Sequence, residues 1–270
     1  MLSDITFGQF YPTTSFVHKL DPRSKIILLI AYIVAVFIAD NFWGLLAAFL
    51  FLCVAIAFSK VPVSAVIRSL KAIIFLALFT FILNILFYAP KEGDTVLFWR
   101  ISKEGIITAT FFASRLLLLV AGSSILTLTT TPVNITDGIE SLLKPLTYIK
   151  VPVHVLALVM SIALRFIPTL ADETDRIIRA QKARGADFES GNILSRVKAF
   201  IPVLIPLLIS AFRRADELGN AMDARCYTDG KTRTKYKKLS FTARDLVSVL
   251  LMAALITGIV FLNIYDPILF

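Results

Sequence analysis

Residues 106–130 read IITATFFASRLLLLVAGSSILTLTT, a stretch of 25 residues in which Arg115 is the one charged side chain. As a helix this stretch would be about 37 Å long, and the hydrocarbon core of a bilayer is about 30 Å thick. Backbone groups in lipid must satisfy their hydrogen bonds within the segment, which favours a helix. The stretch therefore predicts a membrane-spanning helix.

Four further apolar runs have a similar character. They cover residues 26–39, 42–58, 72–89 and 247–264. Hydrophobic residues make up 57% of the chain and charged residues 17%, whereas a soluble domain carries about 25% charged residues. The sequence thus predicts an all-α, polytopic membrane protein with about five transmembrane helices, and it argues against an ordinary soluble enzyme.

Charge is unevenly distributed along the chain. Residues 131–244 hold 18 of the 28 lysines and arginines but 11 of the 19 acidic residues. Because basic loops stay on the cytoplasmic side, the pattern predicts a cytoplasmic N-terminus and a large cytoplasmic insertion. It divides the chain into residues 1–130 with four spans, a cytoplasmic or interfacial module at 131–242, and a last span within 243–270.

Two apolar runs within the insertion, at 151–170 and 197–212, contain prolines and one basic residue each, Arg165 and Lys198. An arginine at a helix centre costs about 2.5–3.5 kcal/mol to insert. We therefore expect both runs to lie at the inner membrane surface, with a seven-span arrangement as the alternative.

The insertion also contains an internal near-repeat. The segment AQKARG at 180–185 returns 41 residues later as AMDARC at 221–226. Alanine favours helix up to each arginine, and Gly185 suits the left-handed position that ends a helix. Cys226 would be strained there, so the second helix is expected to end differently. Each guanidinium offers five donors to carboxylates or carbonyls in a pocket, and the presence of two copies favours such a docking role. An ordinary helix end with a solvated arginine is the alternative.

Five segments in order carry a family resemblance: LDPR at 20–23, RFIP at 165–168, AQKARG at 180–185, AFRRADE at 211–217 and ARC at 224–226. With the membrane pattern, they make the chain similar to the T components of energy-coupling factor transporters, called EcfT or CbiQ-like. That family is marked by two Ala-Arg-Gly motifs, which end two long cytoplasmic coupling helices. The departure here is a cysteine in place of the second glycine.

The resemblance implies a function and a set of partners. The tripeptides Ala183-Arg184-Gly185 and Ala224-Arg225-Cys226 would dock on two ABC-type ATPase subunits of the EcfA type. Their motion would pass to a membrane-embedded S component that takes up a vitamin or a metal ion. By their hydrophobicity and position, the two apolar runs of the insertion are expected to form a platform for this S component, with packing between the chain's own helices as the alternative. The chain would then be a non-catalytic subunit in a prokaryotic plasma membrane. It has no phosphate-binding loop motif, so ATP and magnesium would be used by the partners and no cofactor bound here.

Two other classes of function are possible. A stand-alone secondary transporter or permease would need intramembrane charges around a substrate cavity, and the spans carry few besides Arg115. A membrane enzyme would need clustered acids, such as Asp172, Glu173 and Asp175. These are better explained as ion pairs with the arginines at 176 and 179 on the same helix.

Several single residues have structural explanations. Asp21 and Pro22 suit the start of the first helix, and Arg115 should pair with a carbonyl or hydroxyl, for example from Ser114 or Ser123. The basic segment 231–238 next to the last span favours contact with anionic lipid over nucleic acid. The two histidines and two cysteines are too scattered to predict a metal site or a disulfide.

Overall fold

The computed structural model describes residues 10–87, 96–98, 101–188, 192–227 and 239–265. Helices dominate, which confirms the all-α class. They are α1 Pro22–Ile38, α2 Phe42–Ser59, α3 Val63–Phe87, α4 Lys103–Thr129, α5 Pro132–Leu143, α6 Val153–Ala183, α7 Ile193–Ala224 and α8 Ala243–Tyr265. A 3₁₀ helix, Lys144–Ile149, precedes α6, and two short antiparallel strands, β1 Val96–Phe98 and β2 Ile101–Ser102, precede α4.

The chain forms two compact units. The first, which we call the bundle unit, lies within residues 8–142 and 239–270 and contains α1–α5 and α8. The second, the paired-helix unit, lies within 143–238 and contains α6 and α7. The division of the sequence at residues 130 and 243 stays a prediction. The basic segment 231–238 lies outside the described residues.

Small residues allow the helices of the bundle unit to approach closely. Ala35, Ala39, Ala48 and Ala109 are fully buried, as alanines at contacts between membrane helices tend to be. Large side chains such as Phe111 fill the remaining space. This core holds α1, α2, α4 and α8 together.

A buried carboxylate organises one end of the bundle unit. Asp245 accepts hydrogen bonds from the backbone N–H of Asp21 at 2.9 Å and of Thr242 at 2.8 Å. Asp21 in turn caps α1, accepting from the N–H of Arg23 at 2.9 Å, and Pro22 is the first residue of the helix. The predicted start of the first helix is confirmed, and the same cluster fixes the start of α8.

The opposite end of α1 is held by side chains from other helices. Asn263 Nδ2 donates to the Ile38 carbonyl at 2.5 Å, and Arg115 donates to the carbonyl of Ala39. The Arg115 guanidinium also lies 4.7 Å from the centre of the Phe111 ring. A carbonyl partner for Arg115 is therefore confirmed. It belongs to the α1–α2 turn, not to a serine of α4, because the long side chain reaches a neighbouring helix.

Among the described residues, four helices are long and apolar enough to cross a membrane: α2, α4, α6 and α8. A fifth is possible if α3 is one span, since its two parts meet at a bend of 55°. The number of candidate membrane-spanning helices agrees with the prediction, but the helices themselves are not all the predicted ones. Helix α1 has 17 residues and is not among them, whereas α6 qualifies by length and composition although an interfacial position was expected.

Candidate functional site: two arginine-tipped helix ends

The paired-helix unit is built from two long helices. Helix α6 has 31 residues and α7 has 32, which makes each about 46–48 Å long. Pro168 lies inside α6, and Pro202 and Pro206 lie inside α7, yet both helices continue past them. The predicted continuation of each helix up to its arginine is confirmed.

Glu173 of α6 joins the two helices. Its Oε2 accepts a hydrogen bond from Nη2 of Arg214 on α7 at 2.7 Å, and its Oε1 accepts from Oγ of Ser210 at 2.5 Å. Both oxygens are thus used across the helix pair. The expected pairing of Glu173 with Arg176 or Arg179 on its own helix is wrong, because this side chain faces α7.

The first helix end has the hydrogen bonds of a Schellman motif. The N–H of Gly185 donates to the Lys182 carbonyl at 3.0 Å, and the N–H of Ala186 donates to the Gln181 carbonyl at 3.0 Å. Gly185 has a φ of +88°, the left-handed conformation that this motif requires. The predicted role of Gly185 is confirmed, and Arg184 is the last residue before the chain reverses.

The second helix end repeats this pattern. The N–H of Cys226 donates to the Asp223 carbonyl at 2.9 Å, and the N–H of Tyr227 donates to the Met222 carbonyl at 3.0 Å. Cys226 has a φ of +53°. The expectation that the cysteine would end α7 differently is therefore wrong. Left-handed backbone costs a non-glycine residue about 1–2 kcal/mol, and two hydrogen bonds worth about 1 kcal/mol each can offset that cost.

Both arginines are exposed, and neither guanidinium makes an ion pair within the part of the chain that the structure describes. Arg184 follows Glu173 by 11 residues, and Arg225 follows Arg214 by the same number. Each arginine thus lies about 16 Å along its own helix from the ion pair that joins the two. The small side chains beside them, Ala183 and Ala224, are exposed and leave the backbone approachable.

The surroundings of the two arginines place them at opposite ends of the pair. Beyond Arg184, Phe188 folds back and packs on Phe200 in the first part of α7, with ring centres 5.2 Å apart. Arg225, at the end of α7, lines a small cavity with Leu158 and Ile162 from the first part of α6. The helices therefore run in opposite directions, and their arginines are well separated.

Sequence reasoning found both tips but missed the contacts that position them. For the Glu173–Arg214 pair, the sequence shows two adjacent acidic residues on one helix and two adjacent arginines on the other. This pattern does not say which residues pair. Phe188 and Tyr227 had no signal beyond being aromatic next to a predicted helix end. Within the described ranges, no group of histidine, cysteine and acidic residues could hold a metal ion.

Comparison with known proteins shows which family the chain belongs to. The family described as cobalt transport protein, CbiQ, matches residues 13–236. Similar proteins include the energy-coupling factor transporter transmembrane protein EcfT of Ruminiclostridium cellulolyticum, 49% identical over 97% of this chain and 98% of its own. The EcfT proteins of Clostridium kluyveri (49% identical, 95% and 96% covered) and Bacillus subtilis (46%, 95% and 98%) are comparable. The chain therefore belongs to the EcfT family of energy-coupling factor transporter transmembrane proteins.

Proposed function

We propose that this transmembrane component couples ATP hydrolysis by two partner ATPases to substrate uptake by a membrane-embedded S component. The observation that carries the proposal is the pair of matching helix ends, each presenting an exposed arginine about 16 Å from the contact between α6 and α7. Two separate and similar tips suit two similar partner subunits. A guanidinium fits a groove lined with carboxylates or backbone carbonyls.

Long helices suit the transmission of motion. Their internal hydrogen bonds keep them stiff, and the Glu173–Arg214 contact ties one to the other. Movement of an ATPase bound at Arg184 would then turn α6 against α7. The S component that receives this movement would bring in a vitamin or a metal ion.

An apolar surface on α6 and α7 supports a membrane-embedded partner. Its side chains are aliphatic or aromatic and between 42% and 63% exposed; they are Val155, Leu156, Val159, Met160, Leu204, Ile205, Leu208, Ile209 and Phe212. Exposed apolar patches of this kind mark contact with another protein or with lipid. We assign this surface to the S component.

The same proposal covers location and chemistry. The chain resides in the plasma membrane of a prokaryote, with its N-terminus and the paired-helix unit on the cytoplasmic side, as the distribution of lysine and arginine suggests. It is a non-catalytic subunit that binds no cofactor of its own. ATP and magnesium are used by the partner ATPases.

The test is the double variant Arg184→Ala with Arg225→Ala in the assembled transporter. We expect loss of assembly with the ATPases, or ATP hydrolysis that no longer drives uptake. Vesicle uptake of the substrate and phosphate release are measured together. Each single variant shows whether the two tips contribute equally.

The matched control is Arg179→Ala with Arg213→Ala, which removes two exposed arginines from the same two helices. The control should keep uptake near the unmodified level. ATP-driven uptake that survives in the Arg184 and Arg225 double variant would rule out the coupling role.

A further inference from the structure

A short segment that is both apolar and basic leads into α6. It covers residues 143–150 of the paired-helix unit, and most of it is the 3₁₀ helix Lys144–Ile149. Every residue of the segment is exposed, and the Tyr148 side chain is 92% exposed. Exposed apolar side chains this close together mark a contact surface.

The 3₁₀ geometry separates the apolar side chains of this segment from the basic ones. Residues three apart lie one above the other in a 3₁₀ helix. The apolar side chains therefore form one row, which consists of Leu143, Leu146 and Ile149. Lys144 begins the helix and Lys150 directly follows it, so the two lysines bracket the apolar row. The segment is thus amphipathic over less than three turns.

Backbone hydrogen bonds fix the segment against the start of α6. The N–H of Lys150 donates to the Thr147 carbonyl at 3.1 Å, and the N–H of Val151 donates to the Leu146 carbonyl at 3.4 Å. Val153, the first residue of α6, is only 3% exposed. Whatever the exposed side chains of the segment bind therefore also sets the position at which α6 begins.

The charge of the segment calls for an anionic partner. The sequence has no acidic residue from 141 to 171, and neither lysine of the segment makes an ion pair with a described residue. A bilayer with anionic headgroups offers phosphates above hydrocarbon, which matches the lysines and the apolar row together. Tyrosine is enriched at this boundary, and lysine side chains extend from it towards the phosphates. An acidic groove on a protein would match the lysines but leave the apolar row without a partner.

We propose that residues 143–150 bind the surface of a bilayer that contains anionic phospholipid. Leu146 and Ile149 enter the boundary between headgroups and acyl chains, while Lys144 and Lys150 contact phosphates. The contact holds the first turn of α6 at the membrane surface. It is separate from the arginine tips and from the surface assigned to the S component, so it does not depend on the proposed function.

The experiment measures the depth of a spin label in vesicles of phosphatidylglycerol and phosphatidylcholine. The full chain carries Cys53→Ala and Cys226→Ala, and the label is attached through Ile149→Cys. Oxygen, which concentrates in lipid, and a nickel chelate, which stays in water, report the depth by power saturation. We expect the label to lie about 5–10 Å below the phosphates. A label attached through Ala183→Cys, at the exposed far end of α6, is the control and should be in water.

The lysines are tested in the same labelled chain. Lys144→Gln with Lys150→Gln should lower the ratio of lipid-exposed to water-exposed label about thirtyfold, and vesicles of phosphatidylcholine alone should lower it similarly. The matched control, Arg179→Gln with Lys182→Gln, removes the same charge from the other end of α6 and should leave the ratio unchanged.

A last comparison separates lipid from a protein partner. The depth of the label at position 149 should stay the same when the ATPases and the S component are added. A label in water in the chain alone, or one covered only in the complete transporter, would overturn the proposal. So would a label that is equally deep in phosphatidylcholine vesicles or in the variant without the two lysines.

Discussion

At the scale of single residues, the tips of α6 and α7 show how context overrides local preference. Gly185 adopts its left-handed backbone without strain, whereas Cys226 adopts it against its own preference. Two hydrogen bonds that close the helix end offset the backbone strain at Cys226. Tyr227 also lies beside Met222 on the wall of the small cavity. A hydrophobic contact between these two positions commonly accompanies such a helix end.

This asymmetry predicts opposite effects of two substitutions. Cys226→Gly should stabilise the chain by about 0.5–1 kcal/mol, because the strain of the left-handed cysteine outweighs the added freedom of an unfolded glycine. Gly185→Ala, at the equivalent position, should destabilise it by about 1–2 kcal/mol, although its Cβ would meet no atom within 4 Å. Thermal unfolding in detergent measures both. A loss of stability in Cys226→Gly would contradict this explanation.

At the scale of helices, the contact between α6 and α7 depends on a side-chain network. Glu173 lies 25% exposed and Arg214 30% exposed, so water weakens their attraction only in part. Ser210 adds a second bond to the same carboxylate. Three side chains thus set where along their length the two helices meet.

A double-mutant cycle tests this contact. Glu173→Gln and Arg214→Gln should each destabilise the chain by about 1 kcal/mol, and the double variant should cost little more than either alone, since the pair is already broken. Asp175→Asn, two residues further along in the same acidic cluster, serves as the control and should be neutral. Additive losses in the double variant would mean that the two residues do not act together.

The sequence predicted helices better than it predicted their contacts. The run around Arg115 predicts α4, because the length of an apolar run can be read directly from the sequence. The partner of Arg115 lies on the α1–α2 turn and that of Glu173 on α7, and neither position is near in sequence. Charges three or four residues apart on one helix looked equally good partners, so spacing could not decide. The αL cysteine was missed because its stabilisation comes from bonds that a propensity scale does not contain.

At the scale of the whole molecule, residues far apart in sequence close the bundle unit. Asp245 bonds the backbone of Asp21, 224 residues earlier, and it is only 3% exposed. Asn263 makes the corresponding contact with Ile38 at the opposite end of α1. The last helix is therefore fastened to the first at both ends.

Asp245→Ala should consequently destabilise the bundle unit by about 2–4 kcal/mol, because it leaves two backbone N–H groups without an acceptor. Asp245→Asn keeps one acceptor and should cost about half as much. Thermal unfolding and limited proteolysis after residue 239 report the loss. The neighbouring exposed Arg244→Ala should have little effect, and an equal effect of both alanine variants would disprove the role of the carboxylate.

The opposed directions of α6 and α7 have a mechanical consequence. Equal distances from the Glu173–Arg214 contact to Arg184 and Arg225 make that contact a fulcrum with arms of similar length. Forces that partners apply across the helix axes at the two tips would therefore act about this contact with similar leverage. The paired-helix unit would respond by changing its crossing angle, and residues close to the fulcrum would move least.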